Sequence, residues 1–408
     1  MRILMLSQSY LPVLGGLQTV AHSLACHLIR QGHDIQVVSN RYPRHLASRE
    51  MLEGVPVRRW AFLDPQLKQL PHRPSHFLAA MYLHCRNRIR LNHLVRAFRP
   101  DTINVHFPDV QIPAVLRLRR NFQFRLVVSL HGHDVERFGK TAPRESNPKT
   151  PPNSKGLSDI LKQADSVTAC SRHLLEEAIQ LEPTVVRKGI AISNGIDPSR
   201  FAERASHEHP RPYIFAFGRL THKKGFDLLL QALGRLGAAS LSADLILAGT
   251  GEEQVPLQAQ ATRLGLEERV HFFGRATPGE IVRLLNGSRF VVVPSRSEPF
   301  GIVALEALAA GRPILATRVG GLQDFLSDVC KSAHTGHHND SAEPELTSSA
   351  SRPSVKMVEP TVDSLEQGLR EWLSPEYKPV GDPLKREHVL EEYSWIHVAQ
   401  RYAQVFAG

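Results

Sequence analysis

Short apolar runs recur along this chain, each followed by a loop and a stretch with helical spacing, and that alternation restricts the fold more than any other feature. Ile3 to Leu6 is the first run, and "SQSYLPVLGG" (7 to 16) is the loop after it. Leu17, Val20, Ala21, Leu24, Ala25 and Leu28 then recur on one face of a helix, which Gly32 closes before "DIQVVS" begins the next strand. This is a βαβ unit, and it predicts a parallel sheet. Further strands are expected at Thr102 to Val105, Arg125 to Leu130, Ser166 to Ala169 and Val185 to Ile192.

A polar stretch broken by prolines, "DPSRFAERASHEHPRP" (197 to 212), interrupts the pattern, which then restarts. Buried-type strands are expected at 213 to 218, 243 to 249, 269 to 274 and 289 to 295. At 408 residues and 42% hydrophobic, the chain is long and apolar enough for two cores. The expected organisation is a first domain over 1–197, a linker at 198–212, a second domain over 213–380 and a final helical segment at 381–408 that crosses back to the first domain. The fold class is therefore α/β, two doubly wound Rossmann-like domains facing a central cleft, with ligands outside the carboxyl ends of the strands. Two stretches, 140 to 156 and 331 to 356, are rich in polar residues and proline; the first reads as a lid and the second as a surface insertion.

Charge and cysteine usage narrow the partners. Residues 1 to 200 hold 28 Lys and Arg against 15 Asp and Glu, so the net charge of +10 comes entirely from this half. The segment "MYLHCRNRIRLNHLVRAFRP" (81 to 100) interleaves Tyr82, Ile89, Val95 and Phe98 with five arginines. Such a helix rests on anionic lipid, or it is the solvated face of an ordinary amphipathic helix. No nucleic-acid module surrounds it. The apolar run at the N-terminus is too short for a signal peptide, no apolar stretch has the length of a membrane span, and the four cysteines lack metal-ligand or disulfide spacing. A cytoplasmic protein, peripheral on the inner face of a membrane if the basic helix binds lipid, is the expectation.

The residues with chemistry gather at strand ends. "SRSEPFGIVALEALAAGRPILATRVGG" (295 to 321) places Glu298 in a loop and Glu306 more than a turn into a helix that begins near Pro299 and Gly301. At about 1.5 Å per residue the two carboxylates stand up to roughly 12 Å apart. That is too far for a shared proton or a common metal, and it suits two hydroxyl-bearing parts of one extended ligand. Between them the N–H groups of Phe300, Gly301, Ile302 and Val303 suit an anion. The plainer reading is a cap residue and a surface glutamate. "GRLTHKKG" (218 to 225) brings Arg219 and Lys224 to a strand end, where they can neutralise a diphosphate without a metal. No Asp-x-Asp pair offers the alternative of a divalent ion. Gly15 and Gly16 let backbone amides approach the same phosphates. "LAGTGEEQ" contributes Gly249 and Gly251 as a strand-end loop beside a nucleotide. The third glycine of a dinucleotide fingerprint is missing. "SLHGHD" (129 to 134) ends a strand with His131, whose ordinary pKa of about 6.5 lets it donate or accept near neutrality. A metal pair with His133, or a buried structural histidine, are the other readings. His334, His337 and His338 lack a fourth ligand for a metal.

Together these motifs, with "ISNGID" (192 to 197) and "YSWIHVAQRYAQVF" (393 to 406), resemble the retaining nucleotide-sugar glycosyltransferases of glycosyltransferase family 4, which have the GT-B fold. The resemblance runs through most of the chain. It implies that Glu306 binds ribose hydroxyls and that Glu298 holds donor-sugar hydroxyls beside the amides of Phe300 and Gly301. Arg219 and Lys224 would clamp the diphosphate, Gly16 would assist, Gly274 and Arg275 of "VHFFGR" would stand beside the donor, and His131 would lie against the sugar. It further implies a hexose-type unit moved from a nucleotide-diphosphate sugar with retention and without a metal or other cofactor, in the manner of cell-envelope polysaccharide synthesis. The acceptor would be lipid-linked, a polysaccharide or a small molecule, and an anionic one suits the basic half. One departure is Asp324, standing near the place where the family usually has a glutamate after "VGG". A same-fold sugar phosphorylase or nucleotide-sugar epimerase, or a non-catalytic sugar-nucleotide binding protein, are the alternatives.

Overall fold

The computed structural model describes residues 1–12, 16–62, 74–109, 111–136, 154–202, 205–332, 354–376 and 381–408. They form two compact units, Met1–Asn194 with Trp395–Gly408, and Gly195–Ser394. The stretch read as a linker thus falls in the second unit, and the final segment is divided between the two.

In the first unit β1 (Arg2–Ser7), α1 (Gly16–Arg30) and β2 (Asp34–Asn40) make the opening βαβ. Val20, Ala21, Leu24, Ala25 and Leu28 of α1 are buried, as their spacing requires. A hairpin of β3 (Arg49–Leu52) and β4 (Val55–Trp60), then α2 (Pro74–Phe98), precedes β5 (Thr102–His106). After these come α3 (Ile112–Leu118), β6 (Arg125–Leu130), α4 (His133–Glu136), α5 (Ser154–Gln163), β7 (Ser166–Ala169), α6 (Arg172–Leu181) and β8 (Gly189–Ala191). The sheet order is β3-β4-β2-β1-β5-β6-β7-β8, parallel except for the β3–β4 hairpin. The strand expected over Val185 to Ile192 is shorter than that. Pro183 and the Glu182 carboxylate, which accepts from the Thr184 N–H, start a 3-10 turn over Pro183–Arg187 and leave only β8 to pair.

The second unit repeats the plan with β9 (Tyr213–Phe217), α7 (Phe226–Leu236), β10 (Asp244–Ala248), α8 (Gln254–Arg263), β11 (Val270–Gly274) and α9 (Pro278–Gly287). It continues through β12 (Val291–Val293), α10 (Ile302–Ala309), β13 (Ile314–Thr317), α11 (Gly320–Ser332), β14 (Val355–Val358), α12 (Val362–Trp372) and α13 (Pro383–Glu392). All six strands are parallel, in the order β11-β10-β9-β12-β13-β14. Strands buried on both faces need near-continuous apolar sequence, which "YIFAF" and "DLILA" supply. The core under them is closed by Trp372, fully buried and edge-on to Phe290 at 5.0 Å between ring centroids. The end of the stretch read as a polar insertion is β14, an edge strand on β13; residues 333–353 of that stretch lie outside the described residues, as does most of the stretch read as a lid.

The last helix, α14 (Trp395–Ala407), belongs to the first unit. Trp395, Val398, Ala399, Tyr402, Val405 and Phe406 are buried there. Thr102 Oγ1 donates to the Phe406 carbonyl at 2.8 Å, and Arg125 Nε donates to that of Val405 at 2.8 Å. These bonds occupy carbonyls that the helix end leaves without intrahelical partners.

Candidate active site

In a parallel sheet every strand delivers its carboxyl end to the same edge, and the second unit uses that edge throughout. Gly218 and Arg219 follow β9, Gly249 and Gly251 follow β10, Gly274 and Arg275 close β11, and residues 294 to 301 lead from β12 into α10. The loops after β9 and β10 are packed backbone against backbone. Leu220 N–H donates to the Thr250 carbonyl at 3.0 Å, and Glu253 N–H donates to that of Leu220 at 3.0 Å. A Cβ at Gly249 would stand 1.8 Å from the Gly218 carbonyl oxygen, so this glycine serves the close approach of two loops.

Lys224 ends a 3-10 turn, His222–Lys224, and its ammonium reaches the Glu298 carboxylate at 2.5 Å. Ser295 Oγ donates to the same carboxylate oxygen at 3.3 Å, and the Glu298 carbonyl accepts from the Gly321 N–H at 2.9 Å at the start of α11. Glu298 is thereby held by backbone on one side and by a cation on the other. Arg219, one residue past Gly218, is exposed, and its guanidinium has no partner among the described residues.

Gly301, with φ 104°, is the N-cap of α10, so Ile302 and Val303 begin the helix with N–H groups that have no intrahelical acceptor. The Phe300 ring turns away into the core, 5.2 Å from the Phe325 ring centroid, and leaves only its backbone for a ligand. Glu306 lies in the second turn of α10. Burial raises its pKa, and the Arg200 guanidinium at 3.2 Å opposes that rise. Arg200 sits on the 3-10 turn Pro198–Phe201, a place the sequence reading treated as linker, and only folding reveals it as the partner of Glu306. Each glutamate therefore holds one cation and keeps further acceptor positions for hydroxyls.

In the first unit His131 follows β6 directly and is 2% exposed. Its Nε2 lies 2.9 Å from Nδ1 of His106, the last residue of β5, and its ring packs on Phe107 at 4.6 Å between centroids. Burial lowers the His131 pKa to about 3, so at neutral pH the ring is uncharged. This corrects the expectation that it gains and loses a proton near neutrality. His131 Nδ1 has no hydrogen-bond partner among the described residues. Asp134 accepts the N–H groups of His131 at 3.1 Å and Gly132 at 2.8 Å; burial nevertheless raises its pKa to about 6. His106 was not singled out from sequence, although a histidine closing an apolar run is the same signal that marked His131. Gly16 is the first residue of α1; Gly15, the His133 side chain and His334, His337 and His338 lie outside the described residues.

Comparison with known proteins follows the same division of the chain. Residues 14–200 match the model of Glycosyltransferase Family 4, and residues 199–345 match that of Glycosyl transferases group 1. The chain is 33% identical over 334 residues to glycogen synthase of Mycobacterium tuberculosis, spanning 79% of each protein. Sucrose-phosphate synthase from Thermosynechococcus elongatus has the same fold with a TM-score of 0.71 at 19% identity, over 100% of this chain and 98% of that one. HepE from Anabaena, solved with UDP and glucose, gives 0.65 at 19% identity, over 100% and 99%. With a relative at that identity across most of both proteins, and two models that meet near residue 200, the chain belongs to glycosyltransferase family 4 and is a glycosyltransferase of the GT-B fold.

Proposed function

We propose that the enzyme transfers a hexose-type sugar from a nucleotide-diphosphate donor, with retention of configuration and without a metal. The observation that carries this is the second unit's strand-end edge, where a half-buried glutamate–lysine pair, a half-buried glutamate–arginine pair, an exposed arginine and a helix N-terminus lie along a single sheet. Glu306 takes the ribose diol and Glu298 takes sugar hydroxyls. Arg219, Lys224 and the first amides of α10 neutralise the diphosphate as it leaves. As the sugar–phosphate bond breaks, negative charge grows on the leaving oxygen, and fixed cations lower the barrier because they need no reorganisation. The leaving phosphate accepts the acceptor's proton on the same face of the sugar. His131, uncharged at neutral pH, serves this reaction as a hydrogen-bonding imidazole and not as a cation.

The test is a screen of nucleotide sugars that reads nucleoside diphosphate release with a chelator present. Turnover with a sugar acceptor under those conditions supports the reading. Activity that appears only with added divalent ion, or only with free phosphate as acceptor, overturns it.

The acceptor side points to an anionic lipid-linked or polysaccharide molecule. Leu78, Tyr82 and Ile89 are 66%, 64% and 59% exposed on one face of α2, while Asn87, Leu91, Leu94 and Phe98 are buried on the other. Arg88, Arg90 and Arg96 are exposed on the same helix, and the Arg86 guanidinium lies 5.5 Å from the Tyr82 ring centroid. An apolar stripe flanked by arginines fits the surface of an anionic bilayer. Among the described residues, no helix is long and apolar enough to cross a membrane. Flotation with anionic vesicles, lost in Leu78→Ser/Ile89→Ser and absent with neutral vesicles, is expected; flotation indifferent to lipid charge would remove the basis for this contact.

A further inference from the structure

The first unit holds a second cluster that the transfer reaction does not use. His22 and Cys26 lie one turn apart on α1, each 6% exposed, and Glu53 stands between β3 and β4. His22 Nε2 is 3.5 Å from Cys26 Sγ and 3.3 Å from Glu53 Oε2, and the three donor atoms all lie within 4.8 Å of one another. On the other side of the ring, His22 Nδ1 is 2.9 Å from the hydroxyl of Tyr10, which is 2% exposed. Cys26 Sγ also lies 4.0 Å from the Glu53 carbonyl oxygen.

The same three donor atoms that hydrogen-bond here are close enough to share one ion. Without an ion the His22 ring can donate from Nε2 to the Glu53 carboxylate while the Cys26 thiol faces the Glu53 carbonyl oxygen at 4.0 Å, a long contact for a weak donor. The His22 distances of 3.5 Å to sulfur and 3.3 Å to oxygen also match a coordination shell. Zinc bonds of about 2.3 Å to sulfur and about 2.0–2.2 Å to nitrogen and oxygen, at tetrahedral angles, set nitrogen and sulfur about 3.5 Å apart and nitrogen and oxygen about 3.4 Å apart.

The hairpin gives independent support. Glu53 and Gly54 form a two-residue turn with φ 47° and φ 85°. Positive φ at both positions favours asparagine, aspartate or glycine at the first, and a glutamate there is strained. Burial does not hold it, since the Glu53 side chain is 77% exposed; it nonetheless reaches back to His22.

We propose that His22, Cys26 and Glu53 bind a zinc ion, with a fourth position open to solvent, and that Tyr10 fixes the His22 tautomer that directs Nε2 to the metal. Imidazole with thiolate selects zinc over magnesium or calcium, and thiolate with carboxylate balances its two charges. The Cys26 thiol must lose its proton to become a ligand. Binding forms the Zn–S bond and releases that proton to solvent. The ion ties α1 to the β3–β4 turn and is not a reactant in sugar transfer.

Among the described residues one other group could compete, His209, Asp244 and His271 in the second unit. There both histidines already face one Asp244 oxygen, at 3.0 and 3.3 Å, and Arg269 Nε stands 2.9 Å from the other, so a guanidinium charge opposes a cation.

The full chain, stripped with chelator, is titrated with Co²⁺ as a spectroscopic probe and then with Zn²⁺ in competition. One Co²⁺ per chain is expected, with tetrahedral visible bands and a thiolate charge-transfer band that zinc abolishes. Cys26→Ser should remove that band and weaken zinc at least 100-fold. Tyr10→Phe should weaken zinc about 10-fold, the range seen when a group that orients a ligand is lost, and Glu53→Gln, which removes a ligand, should weaken it by more than that. Glu53→Gln alters an exposed side chain, so it tests the site even if Cys26→Ser fails to fold. His271→Ala should change nothing. A spectrum without the thiolate band, or zinc binding lost in His271→Ala but untouched by Glu53→Gln, overturns the proposal.

Discussion

Glu306→Gln separates the cost of a half-buried charge from its use. The parent carboxylate is 15% exposed, and burial raises its pKa even against Arg200 at 3.2 Å. Between the unfolded value of about 4.3 and the raised folded value, the folded chain holds more protons than the unfolded one. Stability therefore falls as pH climbs through that window and stays lower above it. A neutral amide of the same size escapes this loss. The variant is expected to be at least as stable as the parent at pH 8, with the difference shrinking toward pH 4. Ligand binding should move the other way. A carboxylate accepting from a diol makes charge-assisted bonds of about 1.5–3 kcal/mol each, and an amide keeps one neutral bond of about 1 kcal/mol. With Arg200 sharing the carboxylate, the net loss is about 2–3 kcal/mol, or roughly 30- to 150-fold in nucleotide affinity. Urea melts at three pH values and calorimetric titration with the released nucleoside diphosphate measure both effects. A variant less stable than its parent by the same amount at every pH, or one with unchanged nucleotide affinity, would refute the reasoning.

Lys224→Met should lower kcat/KM by about 100- to 1000-fold with little change in fold, as expected when a charge on the leaving group is lost. Because Lys224 also holds Glu298, the double variant with Glu298→Gln should be far less than multiplicative, and independent effects would count against a shared role. Gly225 has φ 65°, and a Cβ there would meet the Pro294 carbonyl oxygen at 2.0 Å; Gly225→Ala should cost roughly 2–4 kcal/mol in urea denaturation. For His131, with its folded pKa near 3, the unfolded chain binds more protons between pH 3 and about 6.5, so its contribution to stability drops as pH falls below 6.5. His131→Asn should narrow the difference in melting temperature between pH 5 and pH 7.5, against the opposite contribution of Asp134; an unchanged difference would mean that His131 is not held neutral.

The parallel strands were legible because burial on both faces demands apolar runs bounded by turn residues; Arg125–Leu130 and Ser166–Ala169 have the expected limits. The β3–β4 hairpin escaped notice because its strands alternate with charged residues such as Arg49, Arg58 and Arg59, and β14 because an edge strand needs little apolar surface. Glu298, Glu306, Arg219 and Lys224 were candidates because their motifs follow apolar runs, and the structure sets all four in the segments that follow β9 and β12. Their ion pairs could not be read in this way, since Arg200 lies 106 positions from Glu306 and Lys224 lies 74 from Glu298. The protonation of His131 was hidden for a related reason. Its pKa is set by how completely β5, β6 and Phe107 cover it, which local sequence does not state.

The division of the first unit into two chain segments bears on biosynthesis. Residues 395–408 are made after all of 195–394, so the first unit cannot close until the whole of the second has been synthesised. Until then the surface that receives Trp395 and Phe406 stays uncovered on the nascent chain. Stop codons that remove only α14 should leave the second unit intact and the first prone to aggregate.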